Sequence, residues 1–575
     1  NKHIKLLSNF RKEFSFDKRL YLKTKSLTMK KILFLIAFAI VFISCKDEAS
    51  KQIFAKYDES TELVEQQKHK NKRMQFKLMQ SKYLDMNAVF APFEKELSQF
   101  TEEEYNSLKP MILERDIPTL QAHIGNGNLS YEKLTLFYLY RIRKFESDST
   151  KSLNSIIALN PNVLEEARQK DKEKGVNSEY SIYGMPILLK DNINTKGMPT
   201  TAGAIALQKN ITTDDSFIVK RLKENGAIIL GKVNLSEWAY FFCSGCPLGY
   251  SAIGGQTLNP YGRKVFETGG SSAGSGVAVA ANYAVAAVGT ETSGSITSPS
   301  SKNSVVGLKP TIGMLSRTGI VPISSTLDTP GPMTKNIVDN AIFLNAMLGH
   351  DVNDKASVNK NFESEVTELF EASLKGKRFG VLKSLLSDSI YNASVQKIKS
   401  AGAEIIEVES PQISYTNFLD LLNADMKRDL PKYLKNNVDK SVMHTSVKDI
   451  VEFNLQDSLL RAPYKQELFD GIVKDSTSSE ELEKIKKNLN NEGKKFLQSL
   501  IDKELDAILS INNYHSGAAA IAKYPTLTVP MGYENSGEPI SLTFIGRPFS
   551  EYKLLKLGYG FEQISKVRKS PEKYE

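Results

Sequence analysis

Residues 266–299 read FETGGSSAGSGVAVAANYAVAAVGTETSGSITSP, two serine–glycine knots on either side of an alanine–valine run. A flexible Gly/Ser linker is normally followed by more polar sequence. Here Gly269–Gly276 leads straight into VAVAANYAVAAVG, whose small apolar side chains suit only a packed interior. The pattern predicts a buried helix over Val277–Ala287, entered through a tight turn. The entrance lacks the G-K-[ST] of a phosphate cradle. Gly269, Gly270, Gly274 and Gly276 also miss the G-x-G-x-x-G spacing of a dinucleotide site.

The second knot points to chemistry. A short loop containing glycine can aim several backbone N–H groups in one direction, which is what an oxyanion hole needs. Ser295 follows such a loop, and a serine nucleophile needs a base within hydrogen-bond reach. The nearest histidines, His123 and His350, lie outside the patterned region, which argues against a Ser–His–Asp triad. Lys190 is the better base: it ends the apolar run MPILLK and precedes Asp191-Asn192. A lysine at the end of a buried strand loses solvation, and its pKa falls. To accept protons at neutral pH it must drop from about 10.4 to about 7, which burial alone can supply.

The flanking sequence alternates short apolar runs with helical stretches. Residues 113–145 predict two amphipathic helices, the second capped by Ser130. Strands are expected at Ile182–Leu189, Ala227–Leu230 and Val305–Leu308, with helices at Phe217–Glu224 and Glu551–Lys566. The alternation argues an α/β fold around a mixed sheet. Residues 351–510 are rich in Lys and Glu and predict a helix-rich insertion. Residues 45–110, equally charged, predict a tether and surface helices. The pair Cys243 and Cys246 lacks the further ligands of a zinc site and a thioredoxin-like surrounding; packing or a local disulfide is expected.

The net charge of +9 is misleading as a nucleic-acid signal. The first 31 residues hold ten Lys/Arg and two acids, so the rest of the chain is close to neutral. From Met29, MKKILFLIAFAIVFISC has two lysines, twelve apolar residues, then Ser44 and Cys45. That run is too short to span a bilayer and has the form of a secretory signal. It resembles a bacterial lipoprotein signal, with residues 29–44 removed, Cys45 lipidated, and residues 1–28 lying upstream of the true start. The acidic residues after Cys45 resemble the surface-export tag of some lipoproteins. An exported protein, lipid-anchored to the cell envelope at the outer membrane, is the expectation.

GGSSAGSG, GTETSGSITSPSS and VVGLKPTIGMLSRTGIVPISSTLDTPGPM resemble, in order, the amidase signature family. PILLKDNINTKGMPTTAG and GAIILGKVNLSEW match it upstream, and YPTLTVPMGY and PISLTFIGRPFSEYKLLKLGYGFEQ near the end. The likeness covers residues 111–570 and fades through 351–510. It implies an amidase signature fold, a central mixed sheet with helices on both sides. It also implies a Ser–Ser–Lys triad: Ser295 as nucleophile, and Ser271, after a cis Gly270–Ser271 peptide, linking it to Lys190. The N–H groups of Thr292, Ser293, Gly294 and Ser295 would hold the oxyanion.

Glu291 and Thr297 depart from the family's usual Asp and Arg and resemble the bacterial peptide amidase branch; Ser293 departs even from that. Asp328 and Lys309 match as structural supports. The implied reaction cleaves a small-molecule or peptide amide to an acid and ammonia or an amine, peptide C-terminal amides first, with no metal, cofactor or nucleic acid. A catalytically silent binding lipoprotein and the glutamine-amidase subunit of an amidotransferase are the competing readings.

Overall fold

The computed structural model describes residues 53–173, 178–360, 362 and 365–575. The basic leader, its apolar run and Cys45 lie outside the described residues. Lys56–Glu575 form one compact unit, and no helix among the described residues is long and apolar enough to cross a membrane.

The first strands are β1 (Ile156–Leu159), β2 (Pro186–Lys190) and β3 (Ile228–Val233), followed by a separate two-stranded ribbon, β4 (Tyr250–Ser251) and β5 (Gly255–Gln256). Then come β6 (Ala286–Glu291), β7 (Val306–Lys309), β8 (Thr329–Thr334), β9 (Arg378–Leu382) and β10 (Glu404–Val408). The last are β11 (Ala507–Ile511), β12 (Thr526–Tyr533) and β13 (Pro539–Ile545). Eleven of them make a single sheet in the order β1-β3-β2-β6-β8-β7-β12-β13-β11-β9-β10. β3, β2 and β6 run parallel, as do β11, β9 and β10, while the middle of the sheet is antiparallel. The sheet is mixed, as the alternation predicts. β2 and β6 are uninterruptedly buried, as expected of parallel strands covered on both faces.

Three expectations need correction. The run over Val277–Ala287 is the end of a helix, a turn and the start of a strand. The helix spans Ala273–Ala280, Asn282 turns left-handed at φ 55°, and β6 begins at Ala286. Asparagine tolerates that conformation better than the flanking alanines, and its side chain is held by Glu114, Nδ2 donating to Oε1 at 2.7 Å. Residues 351–510 are not uniformly helical either. They contain β9, the helix Ser389–Ser400, β10 and most of β11, which extend the sheet, and the purely helical part starts at Phe418.

The charge-rich stretch before residue 110 is no tether from Tyr57 onward. Met74, Phe76, Met79, Phe90, Phe93 and Leu97 are all buried, and Gln256 N donates to Met79 O at 2.9 Å. Most of its charges point outward, buried Glu59 accepting from Gln80 N at 2.7 Å, while sparse large apolar residues pack inward.

The helix Ala273–Ala280 lies against the backbone that follows β3. A Cβ on Gly274 would stand 2.4 Å from Asn234 O and 2.7 Å from Asn234 N, and Gly274 N donates to that carbonyl at 2.9 Å. Backbone on both sides leaves nothing flexible to yield. Gly274→Ala is expected to destabilise the protein by about 3 kcal/mol or more, beyond the usual cost of overpacking, read as a lowered midpoint in chemical denaturation.

Candidate active site

β2 and β6 are parallel neighbours, with Leu189 opposite Val288, so their carboxyl ends open on the same edge of the sheet. Such edges are where open α/β sheets bind ligands. Lys190 ends β2 and Thr290-Glu291 end β6. The helix carrying GGSSAGSG brings Ser271 to the same edge, through a cis Gly270–Ser271 peptide. Lys190 and Ser271, two members of the triad implied by the resemblance, come together at this edge, and Ser295 follows the end of β6.

Lys190 is completely buried. Its Nζ is 2.7 Å from Ser271 Oγ, 2.9 Å from Thr290 Oγ1 and 3.2 Å from Thr290 O. Burial lowers its pKa to about 7, with the carboxylates of Asp328 and Glu291 opposing the fall. The amine is thus divided between its charged and neutral forms near neutral pH. Two of its three contacts go to Thr290, which sequence reasoning passed over. Asn192 Nδ2 donates to the same Thr290 Oγ1 at 3.0 Å, and Ser272 Oγ bonds both the N–H and the carbonyl of Thr290. Thr290 thereby fixes the amine so that its third direction faces Ser271. No local motif reveals this, because the contact joins residues 100 positions apart.

Below Lys190, Asp191 is pinned by Lys232 at 3.2 Å and by Thr201, whose N–H and hydroxyl both donate to Asp191 Oδ2. Lys232 also donates to Ile193 O, Pro199 O and Thr200 Oγ1. The ammonium and Asp191 Oδ2 are thus satisfied, while Asp191 Oδ1 has the ion pair alone, and the pair anchors the chain as it leaves β2.

Ser271 is fully buried and Ser295 is half-buried. Ser295 O accepts the N–H of Ser272 at 3.1 Å, which ties the nucleophile loop to the residue after Ser271. The N–H groups of Thr292, Ser293, Gly294 and Ser295 meet no acceptor among the described residues. Gly294 has φ 93°, in the left-handed region where glycine carries no steric penalty, and this turns the loop so that its amides stay free. Ser293, the residue that departs from the family, is half-buried.

The other two departures work together. Glu291 Oε2 accepts from Ile296 N at 2.8 Å and from Thr297 N and Oγ1, each at 3.0 Å. The longer carboxylate reaches across the loop, and a threonine hydroxyl stands where the family has arginine. Glu291→Ala would strip two buried N–H groups of their acceptor, at roughly 1–3 kcal/mol each. The expected result is a lowered unfolding temperature together with reduced activity, since the same loop presents the free amides.

Asp328 closes the other side. Its Oδ1 accepts from Thr292 Oγ1 at 2.6 Å, and its Oδ2 from Ile323 N and Ser324 N at 2.8 Å each. Burial raises its pKa to about 6 against those hydrogen bonds. Lys309, at the end of β7, is lowered to about 8 by burial, partly offset by Glu291 and Glu551. Asp328 ties the Thr292 hydroxyl to the Ile323–Ser324 backbone, whereas Lys309 Nζ has no hydrogen-bond partner among the described residues. Among the described residues no histidine is a hydrogen-bond partner of Lys190, Ser271 or Ser295; His123 lies in the helix Ile117–Gly125. Cys243 and Cys246 form a disulfide inside an apolar cluster with Trp238 and Phe469.

Comparison with known proteins bears on the family and the fold. A family model described as Amidase matches residues 133–513. A probable amidase of Arabidopsis thaliana is 34% identical over 481 residues, covering 80% of this chain and 92% of that protein. The glutamyl-tRNA(Gln) amidotransferase subunit of Thermoanaerobacter pseudethanolicus is 29% identical over 489 residues, covering 79% and 97%. Among solved structures, an amidase family protein from Bacillus anthracis superposes with TM-score 0.80 at 38% identity, covering 86% of this chain and 99% of that one. Native peptide amidase from Stenotrophomonas maltophilia gives TM-score 0.74 at 36% identity, covering 80% and 98%. With matches of this length on both sides, the chain belongs to the amidase family and is an amide-hydrolysing enzyme.

Proposed function

We propose that Ser295, Ser271 and Lys190 carry out the hydrolysis as a nucleophile, a proton relay and a base. The observation that carries this is the buried Lys190 amine, lowered to about 7 and 2.7 Å from Ser271 Oγ. In the neutral amine, two N–H groups are engaged by Thr290 and the lone pair is left for the Ser271 hydroxyl. Ser295 Oγ attacks the amide carbon while its proton passes to Ser271 Oγ, whose own proton moves to Lys190 Nζ. The N–H groups of residues 292–295 receive the charge that develops on the carbonyl oxygen. The C–N bond then breaks, and the relay runs in reverse to protonate the departing nitrogen. Water attacks the acyl-enzyme through the same relay, releasing the acid and Ser295.

The substrate is a peptide C-terminal amide. The 36% identity to a peptide amidase supports this, as do Glu291 and Thr297 at the loop. Ammonia release measured on amidated dipeptides and on small primary amides tests it. Dipeptide amides are expected to show a kcat/KM at least about tenfold higher, since contacts beyond the scissile bond contribute binding in the transition state. A preference for the small amides would refute the peptide assignment while leaving the triad intact.

The enzyme is exported and anchored through a lipid on Cys45. The basic residues, twelve-residue apolar run and Ser44-Cys45 support this. Incorporation of labelled palmitate that disappears in Cys45→Ala would bear it out; unchanged incorporation would refute it.

A further inference from the structure

A concavity of about 670 Å³ has none of Lys190, Ser271 or residues 292–295 in its lining. Its volume is in the range of sites that hold small organic ligands. One wall is the helix Ser479–Phe496, which presents Glu483, Lys486, Lys487, Asn490 and Lys494. These positions recur every three or four residues and so form one stripe on the helix. Lys487, Lys494 and Lys523 are exposed at the rim of the concavity, where the helix packs through Asn490, whose Nδ2 donates to Ile521 O at 2.8 Å, against the helix Ser516–Ala522. The floor is apolar, with Ile312, Leu327, Leu421, Ile521, Tyr524 and Phe549.

The charges around it do not balance. Lys486 pairs with Glu483 at 2.8 Å and approaches Asp425 at 3.8 Å. Lys487, Lys494 and Lys523 have no carboxylate partner among the described residues, and Glu483 is the one acid in the lining. Lys523 holds φ 65° as it closes the helix, a position where glycine is favoured and a side chain is strained. Its pKa is lowered by burial and by the nearby cations Arg317 and Lys486, with Asp425 and Glu483 opposing. A partly desolvated cation crowded by other cations gains from any anion that enters.

We propose that this concavity is a binding site for an amphiphilic carboxylate, its acid group held by Lys487, Lys494 and Lys523 and its apolar body on the floor. The site is separate from the catalytic cluster and does not depend on how the amide is cleaved. The lysines are not part of the catalytic machinery, so ammonia release by the variants serves as the control for an intact enzyme.

Calorimetric titration of the full chain with octanoate, octylamine and inorganic phosphate tests it. Octanoate is expected to bind at least about tenfold more tightly than octylamine, and more weakly as salt is raised. Lys523→Gly removes the cation and relieves the left-handed position, so it folds at least as well as the parent. It and Lys487→Gln are each expected to weaken octanoate binding about fivefold or more. Equal affinity for octanoate and octylamine would overturn the proposal. So would octanoate binding indifferent to both substitutions, as expected of an acid lodged beside Ser295, or phosphate binding as tightly as octanoate.

Discussion

Ser295→Ala is expected to lower kcat by on the order of 10⁴-fold or more while the protein remains folded, as removal of a serine nucleophile does elsewhere. The serine is half-buried, and its backbone, not its hydroxyl, carries the bond that holds the loop: Ser295 O accepts from Ser272 N. Alanine keeps that bond, so substrate should still bind and KM should change far less than kcat. Ammonia release with circular dichroism as the folding control measures both. Activity within tenfold of the parent would show that another group attacks the amide.

The second large effect concerns Lys190. The base must be neutral to take the proton of Ser271, and burial sets its pKa at about 7. kcat/KM is therefore expected to fall about tenfold per pH unit below about 7 and to level off above it. The sign is fixed by the group: protonation removes the lone pair, so acid inactivates and alkali does not. Lys190→Met should abolish the pH limb along with nearly all activity, by roughly 10³-fold or more. Asp328 is the leading charge that favours the protonated amine, so Asp328→Asn should move the limb to lower pH. A limb that stays in place in Asp328→Asn, or that runs the opposite way in the parent, would contradict the assignment of Lys190 as base.

What the sequence disclosed follows from where the information lies. Ser295 follows a contiguous Gly/Ser loop and Lys190 ends a buried apolar run, while Ser271 is singled out by the family resemblance of its GGSS motif. Each of these signals lies within one segment. Thr290 gives none, because its contact with Lys190 exists only once β2 and β6 lie side by side. Alanine and valine in Val277–Ala287 fit a helix or a buried strand equally well, and the break between them rests on one residue, Asn282 in the left-handed region. β10 reads EIIEV with most of its residues at least partly exposed at the edge of the sheet, so it carries neither the apolar run of a central strand nor clean alternation. Residues 56–110 are charged on their outer face, and composition averages that charge with the few large apolar residues that dock them.

The relay and the nucleophile make a joint claim: the acyl group is carried by Ser295 and never by Ser271, although Ser271 is the hydroxyl nearer the base. The most direct measurement is an acid quench during turnover of a slow anilide or activated ester substrate, followed by peptide mass spectrometry. An acyl mass on the peptide containing Ser295, absent in Ser295→Ala and retained at reduced rate in Ser271→Ala, is the predicted result. An acyl mass on Ser271, or full turnover with no covalent species on either serine, would contradict it.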